Sequence, residues 1–270
     1  MRNGAKATGA RQAGCRGPRR SINGGMCEWL KQAVLKTAVR ETVPGVRIPL
    51  PPPNSLRSSA TRAILSVAMR GFLAVDPDDE LCRAIAAVQQ DLKNAAGLAT
   101  SKRTRITWVQ PHAIHLTLKF LGDIDESLIG PIQTTLTAAG PLHRAIDLPL
   151  VRVGAFPRTQ EPRVLWLGPP EEWERGADAM RLSALQRTVE HACAMLGVPR
   201  DEQRWRPHLT LGRVRAGERE IGRAFAESGI LERPVASAPL AVREIALIKS
   251  DLRPDGPVHT RLWSITLGAV

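Results

Sequence analysis

The sequence contains no run of about 18 apolar residues, the length that a membrane-spanning helix requires. Cysteine is scarce: four residues with no CxxC pair favour a reducing compartment and argue against a zinc ribbon. No glycine-rich loop of the Walker or Rossmann type is present, so neither ATP nor NAD is implied. Apolar residues nonetheless make up 43% of the chain, enough to bury a core. We therefore expect a globular, cytoplasmic protein that does not span a membrane and needs neither cofactor.

The net charge of +12 is concentrated at one end of the chain. Residues 1–68 hold 12 Lys or Arg and two acidic residues, so this segment carries +10 and residues 69–270 carry +2. The segment is rich in Gly and Pro and has little apolar periodicity. It could be a basic arm that holds RNA, or a targeting peptide, although no apolar stretch precedes a cleavage site. We favour a third interpretation: residues 1–68 are a dispensable, disordered or wrongly assigned extension before a natural start at Met69.

Residues 69–270 alternate between strand-like and helical patterns, and we predict one folded domain over this range. The predicted strands cover residues 71–75, 106–109, 115–121, 148–155, 164–167, 208–211, 242–248 and 262–267. The predicted helices cover residues 77–97, 126–139, 172–196 and 219–228, the first with Asp76 as N-cap and Pro77 at its first position. Many strands close in sequence, with a few helices among them, indicate an α+β fold with largely antiparallel sheets.

One tetrapeptide occurs twice, as His115-Leu-Thr-Leu118 and His208-Leu-Thr-Leu211. At average Leu and Thr usage, a given His is followed by Leu-Thr-Leu on the order of once in two thousand cases. In a strand, the His and Thr of each motif point to one face and both Leu point to the other. We therefore expect the Leu face to be core, and the opposite face to present an imidazole and a hydroxyl.

Two such strands side by side suit phosphoester chemistry without a metal. One neutral imidazole can take a proton from the nucleophile while a protonated one gives a proton to the leaving oxygen. The hydroxyls can donate hydrogen bonds to the phosphate oxygens, where negative charge gathers. Two alternatives stay open at this point: ordinary polar strand faces, or histidines that bind a metal. The metal alternative lacks a neighbouring Cys or carboxylate at ligand spacing.

The paired His-x-Thr-x motifs resemble those of the 2H phosphoesterase superfamily, and most of all its RNA 2′,3′-cyclic phosphodiesterase (LigT-like, 2′-5′ RNA ligase) branch. The resemblance covers essentially all of residues 69–270. The matching segments are Arg70-Gly-Phe-Leu-Ala-Val75, Trp108-Val-Gln-Pro, His115-Leu-Thr-Leu-Lys-Phe-Leu-Gly122, Arg163-Val-Leu-Trp-Leu-Gly168, Arg206-Pro-His-Leu-Thr-Leu-Gly-Arg213 and Ile248-Lys-Ser-Asp-Leu252. It implies a bilobal α+β fold: two lobes of antiparallel sheet with flanking helices, related by a pseudo-two-fold axis, around a central groove.

The resemblance also implies a role for each site residue. His115 would be the general acid and His208 the general base, and Thr117, Thr210 and Arg213 would bind the phosphate. Gly212 would let the chain bulge and turn Arg213 toward the groove. Phe72 occupies a position where it either stacks on a base or is a plain core residue. No metal or cofactor is implied.

Three further expectations concern side chains near the motifs and the ends of the groove. Lys119 shares the parity of His115 and Thr117, so it either adds charge beside the groove or lies at a solvated strand end. His259 stands where family members usually have Tyr, which puts ring contacts from its segment in doubt. His112, His143 and His191 match no motif and are expected at the surface or in loops.

The expected activity is hydrolysis of a terminal RNA 2′,3′-cyclic phosphate to a 2′-phosphomonoester, by a monomer whose partner is RNA. Two alternatives remain open on the sequence. One is 2′-5′ RNA ligation, which by microscopic reversibility uses the same acid and base. The other is a nucleotide- or RNA-binding module that has lost turnover, against which the intact His and Thr of both motifs argue.

Overall fold

The computed structural model describes residues 68–98, 103–253 and 256–269. The expected extension before Met69 thus lies outside the described residues, apart from Ala68. The strands are β1 (Ala68–Val75), β2 (Arg105–Trp108), β3 (Leu116–Asp125), β4 (Ile146–Leu148), β5 (Arg152–Arg158), β6 (Glu161–Gly168), β7 (Leu209–Ala216), β8 (Leu240–Val242), β9 (Glu244–Arg253) and β10 (Gly256–Thr266). The helices are α1 (Asp79–Gly97), α2 (Ile129–Ala139), α3 (Ala177–Met195) and α4 (Glu218–Ser228). None of these four is long and apolar enough to cross a membrane.

Eight of the described strands form one antiparallel sheet in the order β10-β9-β1-β3-β7-β6-β5, with β2 alongside β7. The strands β3 and β7 meet at the centre through a single residue pair, Leu116 and Leu209. We call β10, β9, β1 and β3 the first lobe, and β7, β6, β5 and β2 the second lobe. The short strands β4 and β8 pair with each other in a second sheet. The expected α+β fold with antiparallel sheets is confirmed.

The two lobes are related by the expected pseudo-two-fold axis. The chain runs through β1, α1, β3, α2, β4 and β5, and then repeats the series as β6, α3, β7, α4, β8 and β9. The equivalent strand pairs share one register: Val75 faces Leu116 in the first lobe, and Leu167 faces Leu209 in the second. Helices α3 and α2 pack on the first lobe, whereas α1 and α4 pack on the second. Each lobe is therefore covered by a helix that follows a strand of the other lobe.

The helices cover one face of the sheet, and the main core lies between helices and sheet. The four Leu residues of the two motifs belong to this core and are at most 1% exposed; they are Leu116, Leu118, Leu209 and Leu211. The predicted alternation within the motifs is confirmed for these residues. The His and Thr side chains consequently lie on the opposite face, which the helices leave open.

Most predicted elements are present, with shifted boundaries. Helix α1 begins two residues later than predicted because Asp78, and not Asp76, accepts the capping hydrogen bond from the Leu81 amide at 2.8 Å. Asp76 instead accepts a hydrogen bond from Arg261 at 2.8 Å. The predicted strand over residues 148–155 is two strands, β4 and β5, separated at Pro149, which has no N–H to donate.

Candidate active site

The pairing of β3 with β7 brings the two motifs side by side. Because Leu116 is paired with Leu209, the antiparallel register places His115 beside Thr210 and Thr117 beside His208. The intervening leucines point into the core, so these four side chains share the open face of the sheet. We call this surface the groove. Each histidine thus occupies the register position across from the threonine of the other motif, an arrangement that neither motif shows on its own.

The imidazoles of both motifs are held by the same kind of hydrogen bond. His115 Nδ1 lies 2.9 Å from the carbonyl of Ala113, and His208 Nδ1 lies 2.8 Å from the carbonyl of Arg206, two residues earlier in each case. A carbonyl oxygen can only accept, so each Nδ1 carries the proton and donates it. This leaves each Nε2 as the nitrogen that can take up or give a proton. The same hydrogen bond to a backbone carbonyl therefore fixes both imidazoles in the same tautomer.

Burial in the groove lowers the pKa of both imidazoles. Desolvation is the largest cause in each case, and it lowers the pKa of His115 to about 4. The hydrogen bonds to the two carbonyls act in the opposite direction. The charge of Arg213 contributes to the lowering at both histidines, which places that guanidinium within electrostatic reach of the pair. In the unliganded protein at neutral pH, both histidines are therefore neutral.

A β-bulge follows each motif at the same position. Opposite β6, Trp166 pairs with Thr210 and Leu165 pairs with Gly212, so Leu211 has no partner on that side. Opposite β1, Ala74 pairs with Thr117 and Leu73 pairs with Lys119, so Leu118 has none. The extra residue reverses the alternation of side chains beyond it. The predicted bulge beside Gly212 is confirmed, and it has a counterpart in the first lobe.

The bulges decide which side chains enter the groove. Arg213, five residues after His208, is exposed and stands between the buried Gly212 and Val214, so it lies on the groove face. The equivalent residue five places after His115 is Phe120, and this ring is 51% exposed. The same site position thus carries a cation in the second lobe and an aromatic ring in the first lobe.

Lys119 does not lie where its parity predicted. Both expectations, charge beside the groove and a solvated strand end, are wrong because the bulge at Leu118 turns this side chain toward the helices, where it is 1% exposed. Its ammonium lies 2.9 Å from the Glu190 carboxylate and 3.4 Å from that of Asp201. It also donates to the Pro199 carbonyl at 2.7 Å. Lys119 therefore ties the segment before the second motif to the strand of the first.

Aromatic rings pack against the histidines of both motifs. Phe72 stacks on the His115 ring, with centroids 4.4 Å apart and planes at 24°. His259 approaches the His115 ring edge-on at 5.4 Å, so the segment whose ring contacts were in doubt does contribute one. In the second lobe, Phe156 meets the His208 ring edge-on at 5.1 Å. Hydrophobic packing thus accompanies each imidazole and explains part of its desolvation.

Of the two alternatives for Phe72, a packed core residue is the one that its burial favours. This residue is 5% exposed, and one face of its ring lies against His115. Phe120, whose centroid lies 6.1 Å from that of Phe72, offers the exposed ring instead. Its signal in the sequence was its place five residues after His115, matching Arg213 after His208. That signal only has meaning once the repeat and the two bulges are known.

The remaining histidines lie apart from the pair or at its edge. His191 is exposed, and His143 bonds to the Thr188 hydroxyl at 3.0 Å. His112 is close enough to His259 to lower its pKa, although burial is the larger cause. Across residues 68–98, 103–253 and 256–269, no three His, Cys, Asp or Glu side chains are grouped so that they could hold a metal ion.

Comparison with known proteins agrees with the fold and the motifs. The 2′-5′ RNA ligase superfamily matches residues 72–254. A protein from Methanothermobacter thermautotrophicus named RNA 2′,3′-cyclic phosphodiesterase is 32% identical over 192 residues, which span 71% of this chain and 95% of that protein. Its namesake from Archaeoglobus fulgidus is 30% identical over 197 residues, spanning 72% of this chain and 98% of that protein.

A solved structure supports the same assignment. A crystal structure of a protein from Thermus thermophilus matches with a TM-score of 0.57 and 25% sequence identity, and the match covers 74% of this chain and 99% of that one. The resemblance inferred from the two motifs is therefore confirmed, and the chain belongs to the 2′-5′ RNA ligase superfamily.

Proposed function

We propose that this protein hydrolyses terminal RNA 2′,3′-cyclic phosphates to 2′-phosphomonoesters by two-histidine acid–base catalysis. The observation that carries the proposal is the duplicated geometry: two imidazoles, each fixed through Nδ1, flank one groove beside a shared arginine. The names of the relatives from Methanothermobacter and Archaeoglobus support the substrate class.

In the proposed reaction, His208 acts as the base and His115 as the acid. Nε2 of His208 takes a proton from a water molecule, whose oxygen attacks phosphorus in line with the bond to O3′. As the P–O3′ bond breaks, Nε2 of His115 gives a proton to the departing O3′. The phosphate remains on O2′, and a proton transfer between the histidines through solvent restores both.

The low pKa of His115 fits this role when the substrate is included. In the unliganded protein His115 is neutral at pH 7, since burial lowers its pKa to about 4. The negative charge of a bound phosphodiester favours the imidazolium and raises this pKa. Because both histidines are neutral in the unliganded protein, the proposed reaction requires that the bound phosphodiester promotes protonation of His115 while His208 stays neutral.

Charge and hydrogen bonding on the phosphate would come from three residues. Thr117 and Thr210 lie beside the imidazoles and would donate to the non-bridging oxygens, and Arg213 would neutralise the charge that gathers there. Phe120 occupies the position in the first lobe that Arg213 occupies in the second. Its exposed ring would stack on the base next to the phosphate. The phosphate would then lie toward the second lobe and the base toward the first.

The test is an assay of the full-length protein on an oligonucleotide with a 2′,3′-cyclic phosphate end, with ³¹P NMR to identify the product. We expect a 2′-phosphomonoester, formed equally well with and without excess chelator. His115→Ala and His208→Ala should abolish most turnover, whereas His191→Ala, an exposed histidine outside the groove, should not. A 3′-phosphate product, or activity that needs a divalent metal, would contradict the proposed reaction.

The same acid and base could run the reverse reaction, so the assay includes paired RNA ends for 2′-5′ ligation. Product from paired ends at a higher rate than hydrolysis would favour ligation as the main activity. Tight binding of the cyclic-phosphate oligonucleotide without any single-turnover product would favour a binding module. The name of the matching superfamily is the reason to include the ligation arm.

We further propose that residues 69–270 are the complete catalytic unit, that it acts as a monomer and that it lies in the cytoplasm. The free thiols of Cys82 and Cys193 are consistent with a reducing compartment. A protein that starts at Met69 should keep its kcat on a cyclic mononucleotide, while its binding to long RNA becomes less sensitive to salt. Loss of mononucleotide hydrolysis would place part of residues 1–68 in the domain.

A further inference from the structure

A glutamine side chain is buried behind the bulge that precedes Arg213. Gln89 lies in the apolar stripe of α1 and is 1% exposed. Its amide nitrogen donates to the carbonyl of the bulged Leu211 at 2.8 Å and to the carbonyl of Val109, just after β2, at 2.8 Å. The Leu211 carbonyl also accepts from the Val109 amide at 3.0 Å. Both amide hydrogens of Gln89 thus bond to the backbone at the point where β7 changes direction.

In the first lobe, a second glutamine makes an equivalent but longer contact. Gln186 is 8% exposed on α3, the helix equivalent to α1, and it donates to the carbonyl of the bulged Leu118 at 3.4 Å. Its second contact, to the Glu190 carboxylate, is 3.5 Å long. These distances lie at the outer limit for a hydrogen bond, whereas those of Gln89 are short. The shorter hydrogen bonds are therefore in the second lobe, where the bulge precedes Arg213.

We propose that Gln89 is a positioning residue that acts through Arg213. A bulge leaves one residue without a ladder partner, so its backbone has more freedom than a regular strand. Gln89 removes that freedom by tying Leu211 to the end of β2, and Arg213 follows two residues later. A displacement of about 1 Å at a catalytic group can cost up to roughly 100-fold in rate, so a fixed bulge matters to catalysis. This inference rests on the proposed role of Arg213 in binding phosphate.

A purely structural role for Gln89 makes a different prediction. A buried amide that only satisfies backbone carbonyls would, when removed, weaken the fold and slow the enzyme by the same factor whether or not Arg213 is present. A residue that acts through Arg213 loses its effect on activity once Arg213 has been removed. Its effect on folding stability, by contrast, stays the same in both backgrounds.

The experiment is a double-mutant cycle in the full-length protein with a 2′,3′-cyclic phosphate oligonucleotide. Gln89→Met keeps the shape and removes the donors. We expect it to lower kcat/KM roughly 10-fold in the native background and less than about 2-fold beside Arg213→Ala. The matched control is Gln186→Met, which removes the longer contacts in the other lobe and should lower kcat/KM by the same small factor in both backgrounds.

A second readout does not depend on turnover. The charge of Arg213 lowers the pKa of both His115 and His208, so a displaced guanidinium lets both values rise. NMR titration of the unliganded protein should therefore show both histidine pKa values raised in Gln89→Met, in the same direction as in Arg213→Ala. Gln186→Met should leave both histidine pKa values unchanged. If Gln89→Met does not fold, Gln89→Asn, which keeps an amide but shortens its reach, takes its place in the cycle.

The outcomes separate this inference from the proposed function. Equal losses from Gln89→Met in both backgrounds, or unchanged histidine titrations, would overturn the positioning role while leaving the function intact. If Arg213→Ala keeps full activity, the phosphate role of Arg213 fails, and the positioning role fails with it. Loss confined to the background that retains Arg213, together with raised histidine pKa values, supports the proposal.

Discussion

The two lobes of the sheet contain the same histidine arrangement in different surroundings. Each lobe supplies His-x-Thr on a central strand, a hydrogen bond from Nδ1 to a carbonyl two residues earlier, and a bulge three residues after the histidine. They differ just beyond the bulge, where the first lobe has Lys119 and Phe120 and the second has Gly212 and Arg213. The aromatic neighbours also differ. Phe72 stacks on His115 with an interplanar angle of 24°, whereas Phe156 is nearly perpendicular to His208, with an interplanar angle of 88°.

The repeat therefore supplies two equivalent imidazoles, and the residues next to them make the two ends of the groove chemically different. Cationic charge lies on the second lobe, through Arg213, and exposed aromatic surface lies on the first, through Phe120. An asymmetric substrate, with a charged phosphate at one end and a flat base at the other, matches an asymmetric groove. The symmetric parts would perform the proton transfers, and the asymmetric parts would orient the nucleotide.

The largest expected effects separate the two histidines. Removing either should lower kcat on a cyclic-phosphate oligonucleotide by roughly 10²–10⁴-fold, the usual scale for one proton-transfer group. On a nitrophenyl phosphodiester, whose leaving group needs no proton, His115→Ala should recover much of its rate, whereas His208→Ala should stay slow. Steady-state rates on both substrates make the comparison.

Recovery in His208→Ala alone would reverse the assignment of acid and base. If neither variant slowed either substrate, the paired motif would be structural and the proposed enzyme reaction would fail. The two losses need not add in the double variant, because both groups act on one displacement.

The next effect concerns stability at the position after each bulge. Lys119→Met should cost about 3 kcal/mol of unfolding free energy, because it leaves Glu190, whose side chain is 13% exposed, without its cation. At the equivalent position, Gly212→Ala adds a methyl group 3.0 Å from the Trp108 ring and should cost about 1 kcal/mol. Urea denaturation measures both.

These two variants also test which face each position occupies. Lys119 and Gly212 lie on the helix side of the sheet, so kcat of the folded Lys119→Met protein should stay within a few-fold of the parent. A stable Lys119→Met protein with a collapsed kcat would instead put this ammonium in the groove, as simple strand alternation predicted.

A third comparison is between the charge of Arg213 and the aromatic ring of Phe120, which occupy equivalent positions in the two lobes. Arg213→Ala should lower kcat/KM by roughly 100-fold on both a cyclic oligonucleotide and a nitrophenyl phosphodiester, since stabilisation of phosphate charge is lost whatever the leaving group. Phe120→Ala should lower it roughly 10-fold on the oligonucleotide and hardly at all on a substrate without a nucleobase. Equal losses from Phe120→Ala on both substrates would argue against a stacking role.

A further effect is the dependence of stability on pH. Burial holds the pKa of His115 near 4 in the folded protein, against about 6.5 in an unfolded chain, so between these values the unfolded state binds more protons. Stability is therefore full above pH 6.5 and falls as the pH drops toward 4, by at most about 1.4 kcal/mol per pH unit. His115→Asn should flatten this slope in urea midpoints measured from pH 7 to pH 4.5.

The corresponding variant of His208 provides a comparison for the pH dependence of stability. The pKa of His208 is also lowered by burial, but His259 adds its charge only beside His115. His208→Asn should therefore flatten the pH slope less than His115→Asn does. An unchanged slope in His115→Asn would mean that the imidazole is not desolvated in the fold.

Local patterns in the sequence predicted much of this protein. The repeated tetrapeptide identified both histidines, and period-two alternation assigned Leu116 and Leu209 to the core and the polar side chains to the other face. The flanking residues predicted the family and the two-lobed α+β fold. Alternation failed at Lys119, because the extra residue at Leu118 turns this side chain to the helix side of β3, and a strand pattern carries no mark for a bulge.

The sequence by itself determined which chemical groups are available: two imidazoles, two hydroxyls and an arginine on strands whose other face must be buried. Only the tertiary structure decided how they act together. The single pairing of Leu116 with Leu209 sets each histidine across from the threonine of the other motif, and helix α1 brings Gln89 to the Leu211 carbonyl, 122 positions away in the chain. Such contacts depend on long-range packing, and residue spacing within one segment carries no information about them.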